Sequence, residues 1–64
     1  MNIDRVKLIA EMARHRINVS QLSEKSGVSR STIAAARNGK TVHRNTAVHI
    51  AHGLGVPLES ILED

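Results

Sequence analysis

Residues 18–39 read NVSQLSEKSGVSRSTIAAARNG, and their pattern predicts two short helices with a break between them. Asn18 and Gln21 have the three-residue spacing of a capping box, which predicts the start of a helix over about 19–26. Gly27 follows that helix, and glycine adopts without steric strain the left-handed backbone that often ends a helix. The sequence therefore predicts a short helix that ends in a sharp break.

A further helix is predicted directly after this break. Ser29 is a good N-cap, and Asn38-Gly39 stops the helix that it begins. Ile33 and Ala36 supply the inward positions of this helix, with Val28 packing beneath the turn. Two helices joined by a turn of about four residues match the helix-turn-helix unit, whose second helix enters the major groove of DNA.

The N-terminal part of the chain predicts a first helix capped by Asp4. Apolar residues recur at helical spacing along this segment and predict its buried stripe, which Leu8 and Met12 widen. The predicted stripe comprises Val6, Ile9, Ala10, Ala13 and Ile17.

The C-terminal part predicts two more helices. One covers about 45–53 and ends at Gly55, with Ala47, Ile50, Ala51 and Leu54 facing inward. Pro57, which suits the first turn of a helix, opens a short last helix carrying Leu58, Ile61 and Leu62. The predicted fold is all-α, a compact bundle of about five short helices that forms a single domain over residues 1–64.

Composition narrows the class of protein. The chain has 64 residues, 41% of them hydrophobic, with no cysteine and no aromatic residue. One aliphatic core without disulfides is therefore expected. The longest apolar run, Ile33 to Ala36, is far below the roughly 20 residues of a membrane helix. The first residues have no apolar signal segment, so we expect a cytoplasmic protein without membrane contact.

The charge of the chain favours a polyanionic partner. Nine Lys and Arg against six Asp and Glu give a formal charge of +3. The stretch 25–44 holds only basic charged residues, namely Lys25, Arg30, Arg37, Lys40 and Arg44. A surface that faces phosphates is expected there.

Several short motifs together resemble the Cro/cI-type (Xre-like) helix-turn-helix regulators. The matching residues are Leu22, Gly27-Val28-Ser29, Arg30-Ser31-Thr32-Ile33, Asn38-Gly39-Lys40, Ala51 and Leu54-Gly55-Val56. The resemblance extends over nearly the whole chain, and the spacing among the motifs makes it specific. It implies a lambda repressor-like DNA-binding domain in which the second and third helices contact DNA.

The expected base contacts lie on the outer face of the third helix, which presents Arg30, Ser31, Ala34 and Ala35. By the resemblance, Arg30, Ser31 and Ala35 correspond to the main base-contact positions of the family. Arg30 can bind guanine O6 and N7 with both ends of its guanidinium, and the alanine methyl groups can contact a thymine methyl. The alternative is a solvated helix start followed by alanines that merely favour helix.

The expected phosphate contacts follow from the same resemblance. They are Thr32, Asn38, Lys40, His43 and Arg44, with Arg37 added for a different reason. The family often has Glu where Arg37 stands and Arg where Met12 stands, which ties the first helix to the third. This chain lacks that pair, so Arg37 is free to contact a phosphate. Ordinary solvation of a basic loop is the alternative for these positions.

The sequence gives little support for a catalytic site or a metal-binding site. His49 and His52 lie three apart on one helix, with His43 before them, but no carboxylate or cysteine converges there, so surface histidines are the better interpretation. No nucleophile elbow or paired carboxylates indicate an enzyme. We therefore expect no catalytic residue, metal, cofactor or small-molecule substrate.

The resulting hypothesis is a transcriptional regulator, in the first place a repressor, that binds a double-stranded DNA operator as a homodimer. Leu54, Leu58, Ile61 and Leu62 in the C-terminal region either form the dimer surface or close the core. The alternative function is a protein-interaction or antitoxin-type module whose main partner is another protein. RNA binding ranks last, because no aromatic side chain is present to stack on bases.

Overall fold

Four α-helices and one turn of 3-10 helix make up the fold. The computed structural model describes residues 2–63, so the two end positions of the predicted domain, 1 and 64, lie outside it. The elements are α1 Arg5–Arg14, α2 Val19–Ser26, α3 Arg30–Arg37, α4 Arg44–Leu54 and the 3-10 turn Leu58–Ser60. The predicted all-α class is confirmed, whereas the expected fifth helix is only this turn.

The first three helices begin at the predicted caps. Asp4 Oδ1 accepts from the N–H groups of the second and third residues of α1, at 2.9 and 3.1 Å. Asn18 and Gln21 form a reciprocal capping box at 2.8 and 2.9 Å. Ser29 Oγ accepts from the Thr32 N–H at 3.2 Å. Each cap satisfies backbone donors that a helix start otherwise leaves without partners.

Each of the four helices ends with a residue in the left-handed region. Gly27, Gly39 and Gly55 follow α2, α3 and α4 with φ of 74°, 83° and 74°. After α1 the same position is occupied by Arg16, with φ of 52°. The next N–H, that of Ile17, donates to the Met12 carbonyl at 3.0 Å, so α1 ends in a Schellman motif without glycine.

One aliphatic core holds the elements together, and α2 packs on α4 more extensively than any other pair. The residues predicted to face inward in α3 and α4 are confirmed as buried, and Leu22 of α2 is buried as well. Ile3 and Val42, which the sequence analysis did not assign to the core, are also buried at 2% and 8% exposure. The buried residues are Ile3, Leu8, Met12, Ile17, Leu22, Ile33, Ala36, Val42, Ala47, Ile50, Ala51, Leu54 and Ile61.

The predicted buried stripe of the first helix is confirmed at Ile17 and at the two residues that widen it, and is wrong at its other four positions. Leu8 and Met12 point into the core, whereas Val6 and Ile9 are 69% and 42% exposed. Ala10 and Ala13, from the same predicted stripe, are exposed as well. The helix carries apolar residues around most of its circumference, so periodicity alone does not fix which side faces the core. The packing of α1 against α3 and the 3-10 turn fixes it instead.

The predicted last helix is also wrong beyond its first turn. After the 3-10 turn, Leu62 forms an antiparallel bridge with Ile3. The Ile61 carbonyl accepts from the Asp4 N–H at 2.8 Å, and the Leu62 carbonyl accepts from Lys7 Nζ at 2.9 Å. The backbone groups that would continue a helix are thus satisfied by the N-terminal segment.

The C-terminal leucines and isoleucine close the core, as one of the two sequence alternatives predicted. Leu54 and Ile61 are 4% and 0% exposed, and Leu58 and Leu62 pack half-buried against the same core. The first two are therefore excluded as a contact surface in the folded chain. Within residues 2–63, no helix has the length and apolar character needed to cross a membrane.

Candidate nucleic-acid interface

The turn between α2 and α3 is held by side-chain hydrogen bonds on both sides. It comprises three residues, 27–29. The Ser23 hydroxyl donates to the Val28 carbonyl at 2.6 Å, and the Val28 N–H donates to Ser26 Oγ at 3.1 Å. Val28 itself packs half-buried against the core. These contacts fix the direction in which α3 leaves α2, as a helix-turn-helix unit requires.

The outer face of α3 is exposed to solvent. Ile33 and Ala36 are fully buried, which leaves Ser31, Ala34 and Asn38 exposed on the opposite side. Arg30 is exposed at the first turn. Eight residues span about 12 Å along the helix axis, the length of three to four base-pair steps of 3.4 Å. On this exposed face, the side chains that lie between Arg30 and Asn38 are those of Ser31 and Ala34. Both are small, so the face can approach base edges closely.

A cluster of hydroxyl groups marks the start of α3. The Ser29 hydroxyl donates to Thr32 Oγ1 at 2.8 Å. Ser31 Oγ lies 3.3 Å from the same Ser29 oxygen. A hydroxyl offers one donor and two acceptor positions, so Ser31 retains hydrogen-bonding capacity toward a base while it takes part in this cluster.

A hollow of about 350 Å³ separates α3 from the start of α4. Residues of α3, of the loop before α4 and of the first turn of α4 line it: Ser31, Thr32, Ala35, Thr41, Val42, His43 and Thr46. At its edge, α4 begins after His43 without a side-chain cap. The first N–H groups of α4 are therefore free donors, and a helix N-terminus attracts phosphate.

Neither this backbone donor group nor Thr41 and Thr46, two of the three threonines that line the hollow, was predicted from the sequence. The predicted start of α4, about residue 45, lies one residue late. The signal in the sequence is the absence of a good N-cap residue at position 43, since histidine is a poor capping residue. The Thr41 hydroxyl already donates to Asn2 Oδ1 at 2.7 Å, which ties the N-terminal segment to this loop.

Exposed cations surround the outer face of α3. Arg30, Lys40 and Arg44 are exposed, as are Asn38 and His43. Among residues 2–63, the ion pairs with described geometry join Glu11 of α1 to Arg14 at 3.1 Å and to His15, directly after the helix, at 3.6 Å. Charges that no acid neutralises contribute fully to an attractive field for phosphates.

Arg37 differs from the other predicted phosphate contacts. It is half-buried, and its Nε is buried without a hydrogen-bond partner. Together with Ile9, Ala34 and Asn38 it lines a depression of about 330 Å³ between α1 and α3. The side chain therefore lies on the α1 side of the interface, away from the hollow that adjoins α4.

The histidines do not form a metal-binding group in the part of the chain that is described. Across residues 2–63, no three His, Cys, Asp or Glu side chains are placed to hold one ion. His49 Nδ1 lies 3.0 Å from the Asn45 carbonyl, one turn earlier on α4. Since a carbonyl only accepts, this geometry assigns the proton of the neutral ring to Nδ1.

A scan against protein-family models gives the decisive comparison. Residues 7–64 match the model of the Cro/C1-type HTH DNA-binding domain. The chain belongs to this family. Searches of curated proteins and of solved structures returned no match. Membership of the Cro/C1-type family confirms the resemblance drawn from the motifs, and it makes the chain a DNA-binding domain of the helix-turn-helix type.

Proposed function

We propose that this Cro/C1-type domain is a sequence-specific transcriptional regulator, acting as a repressor, that inserts α3 into the major groove of an operator. The observation that carries the proposal is the open face of α3, with an exposed arginine at its start and unpaired cations around it. Base contacts are assigned to Arg30, Ser31, Ala34 and Ala35.

The assignment of phosphate contacts follows the same geometry. Thr32 and His43 line the hollow beside the uncapped start of α4, while Lys40 and Arg44 are exposed. Asn38 and Arg37 lie at the other end of α3. Phosphate contacts on both sides of α3 would hold the helix in register on the duplex without contributing sequence preference.

The proposal is tested by selection from a randomised duplex pool at about 150 mM salt, followed by titrations with wild type and Arg30→Ala. We expect a short enriched sequence containing a guanine. Arg30→Ala should weaken binding to that sequence by about 1–3 kcal/mol and remove the preference at the guanine. Arg14→Ala removes the same charge from α1 and should keep the preference. Failure to enrich any sequence would overturn the proposal.

Phosphate contacts give a different signature in the same titrations. Lys40→Gln should weaken binding to all duplexes by a similar factor and leave the base preference intact. The slope of log K against log salt should decrease in magnitude by about 0.9, the value for one lost phosphate contact. If Lys40→Gln changes the preferred sequence instead, the assignment of Lys40 to a phosphate is wrong.

We also propose that the regulator binds as a homodimer on inverted half-sites about one helical turn apart. Supporting this is the length of α3, which spans too few base pairs for one copy to select a single operator. Of the four apolar residues first considered for a dimer surface, Leu58 and Leu62 keep partial exposure and can contribute to such a contact. Sedimentation over a concentration series with and without operator duplex tests this, and one copy per operator would contradict it.

A further inference from the structure

The centre of the outer face of α3 carries methyl groups and no longer side chain. Ala34 is exposed, and Ala35 is half-buried where α3 borders the hollow beside α4. On its other side Ala34 adjoins Ile9 of α1 in the depression between α1 and α3. These two positions have no side-chain hydrogen-bond donor or acceptor, so they can contact base edges only through apolar atoms.

The apolar group that DNA offers in the major groove is the methyl group on C5 of thymine. Unmodified cytosine carries hydrogen at the same ring position. Cytosine methylated at C5 carries a methyl group there, in the same place as in thymine. An alanine methyl cannot distinguish the O4 acceptor of thymine from the N4 donor of cytosine, because that difference is expressed through hydrogen bonds. Ala34 and Ala35 therefore respond to the methyl group and not to the base that bears it.

We propose that the ligand of Ala34 and Ala35 is the C5-methyl group of a pyrimidine, so that methylation of cytosine at this operator position increases affinity as thymine does. The inference rests on the proposed function, since it requires α3 to lie in the major groove. Burial of one methyl group is worth about 0.8 kcal/mol, which corresponds to about fourfold in affinity.

The test uses the duplex enriched by the selection described above. Each thymine is replaced in turn by deoxyuridine, which lacks the methyl group and keeps the same hydrogen-bonding edge. At the sensitive position we expect about fourfold weaker binding. There the T·A pair is then replaced by C·G and by 5-methylcytosine·G, and the methylated duplex should bind about fourfold more tightly than the unmethylated one.

The variants Ala34→Gly and Ala35→Gly test whether the effect of the pyrimidine methyl group on affinity depends on these two alanines. At a given sensitive position, the variant that lacks the contacting alanine should reduce the thymine-to-uracil affinity ratio from about fourfold toward one, because the protein methyl group that meets the DNA methyl group is gone. Glycine also lowers helix propensity, which weakens binding to all duplexes alike and leaves the ratio informative. Ala10→Gly, at an exposed position of α1, is the matched control and should keep the fourfold ratio.

The outcomes separate this inference from the proposed function. If no duplex is enriched, the proposed function fails and this inference fails with it. If an enriched duplex binds equally well with uracil at every position, the inference is overturned while sequence-specific binding stands. If uracil weakens the glycine variants as much as wild type, the methyl group acts through DNA shape and not through α3, which also overturns the inference.

Discussion

Gly53 lies where α4 approaches α2 closely. A Cβ atom at this position would lie 2.9 Å from Ser26 Cβ and 3.1 Å from Ser26 Cα and N. Two of these three atoms belong to the backbone, so the contact is not relieved by rotating a side chain. Gly53 is thus required by the close approach of two helices, although it lies inside α4 where glycine lowers helix propensity.

Gly53→Ala is expected to destabilise the fold. The gain in helix propensity is about 1 kcal/mol, and separating two packed helices costs about 1–3 kcal/mol. We expect the free energy of unfolding to fall by about 1 kcal/mol and Tm to fall by roughly 4–8 °C, measured by circular dichroism. His52→Ala, at an exposed neighbouring position, should change it by less than about 0.5 kcal/mol. An increase in Tm for Gly53→Ala would contradict the close approach.

The same contact connects stability with the proposed DNA interface. Ser26 Oγ accepts the hydrogen bond from the Val28 N–H that helps to hold the turn before α3. A Cβ atom at position 53 would displace Ser26. Because Ser26 Oγ accepts the hydrogen bond from Val28, the turn before α3 would shift with it. Gly53→Ala should therefore weaken operator binding as well, even though residue 53 lies on α4 and outside the assigned contacts.

Among the helices, α1 is the one whose end has a non-glycine residue in the left-handed conformation. Arg16 adopts a left-handed conformation that costs an L-residue about 1–2 kcal/mol. The other three helices have glycine at this position, and their ends were predicted from the sequence for that reason. The end of α1 lacks a local signal, because the Schellman motif there is stabilised by packing of Ile17 in the core.

Arg16→Gly is expected to stabilise the protein. Relief of the left-handed strain exceeds the extra freedom of glycine in the unfolded chain, which is worth about 0.4–1 kcal/mol. We expect a gain of about 0.5 kcal/mol in the free energy of unfolding, measured by urea denaturation. Arg16→Ala removes the same charge and retains the Cβ, so it should give no gain. Equal stabilisation by both variants would assign the effect to charge instead.

The elements differ in how far the sequence alone predicts them. The boundaries of α2 and α3 follow from the Asn18 and Ser29 caps and from Gly27, which act within a few residues. The orientation of α1 and the C-terminal segment depend on contacts that span most of the chain, such as Lys7 Nζ to the Leu62 carbonyl. Such pairings leave no periodic signal in the sequence, and both predictions were partly wrong.

The candidate site divides in the same way. The outer face of α3 was predicted correctly as a surface, because Ile33 and Ala36 are buried and helical spacing then fixes the other side. The hollow beside α4 was not predicted, because Thr41 and Thr46 reach it through the loop and the first turn of the next helix. The uncapped start of α4 was not predicted, because the only local signal for it is the lack of a good N-cap residue at position 43.

At the scale of the whole molecule, the stability available to 64 residues is small. A domain of this length has a free energy of unfolding of about 3–10 kcal/mol. All the buried side chains are aliphatic or methionine, so no aromatic ring contributes a large buried area. A single large truncation in the core can therefore remove most of the stability.

Ile61→Ala should show this directly. The side chain is fully buried, and truncation of a buried isoleucine to alanine costs about 2–5 kcal/mol. We expect a large loss of helical circular dichroism at 37 °C. Val48→Ala, at a 40% exposed position of α4, should leave the protein folded. An Ile61→Ala variant that stays fully folded at 37 °C would contradict the contribution assigned to this side chain in the core.

The bridge between Ile3 and Leu62 brings the first and last described segments of the chain together. The Glu63 N–H donates to the Asn2 carbonyl at 3.2 Å, so the backbone at residue 63 lies beside the backbone at residue 2. A glycine linker of a few residues would close it into a ring with little strain, and ring closure would reduce the entropy of the unfolded chain. For the same reason a domain fused at either end would leave from the same edge of the bundle.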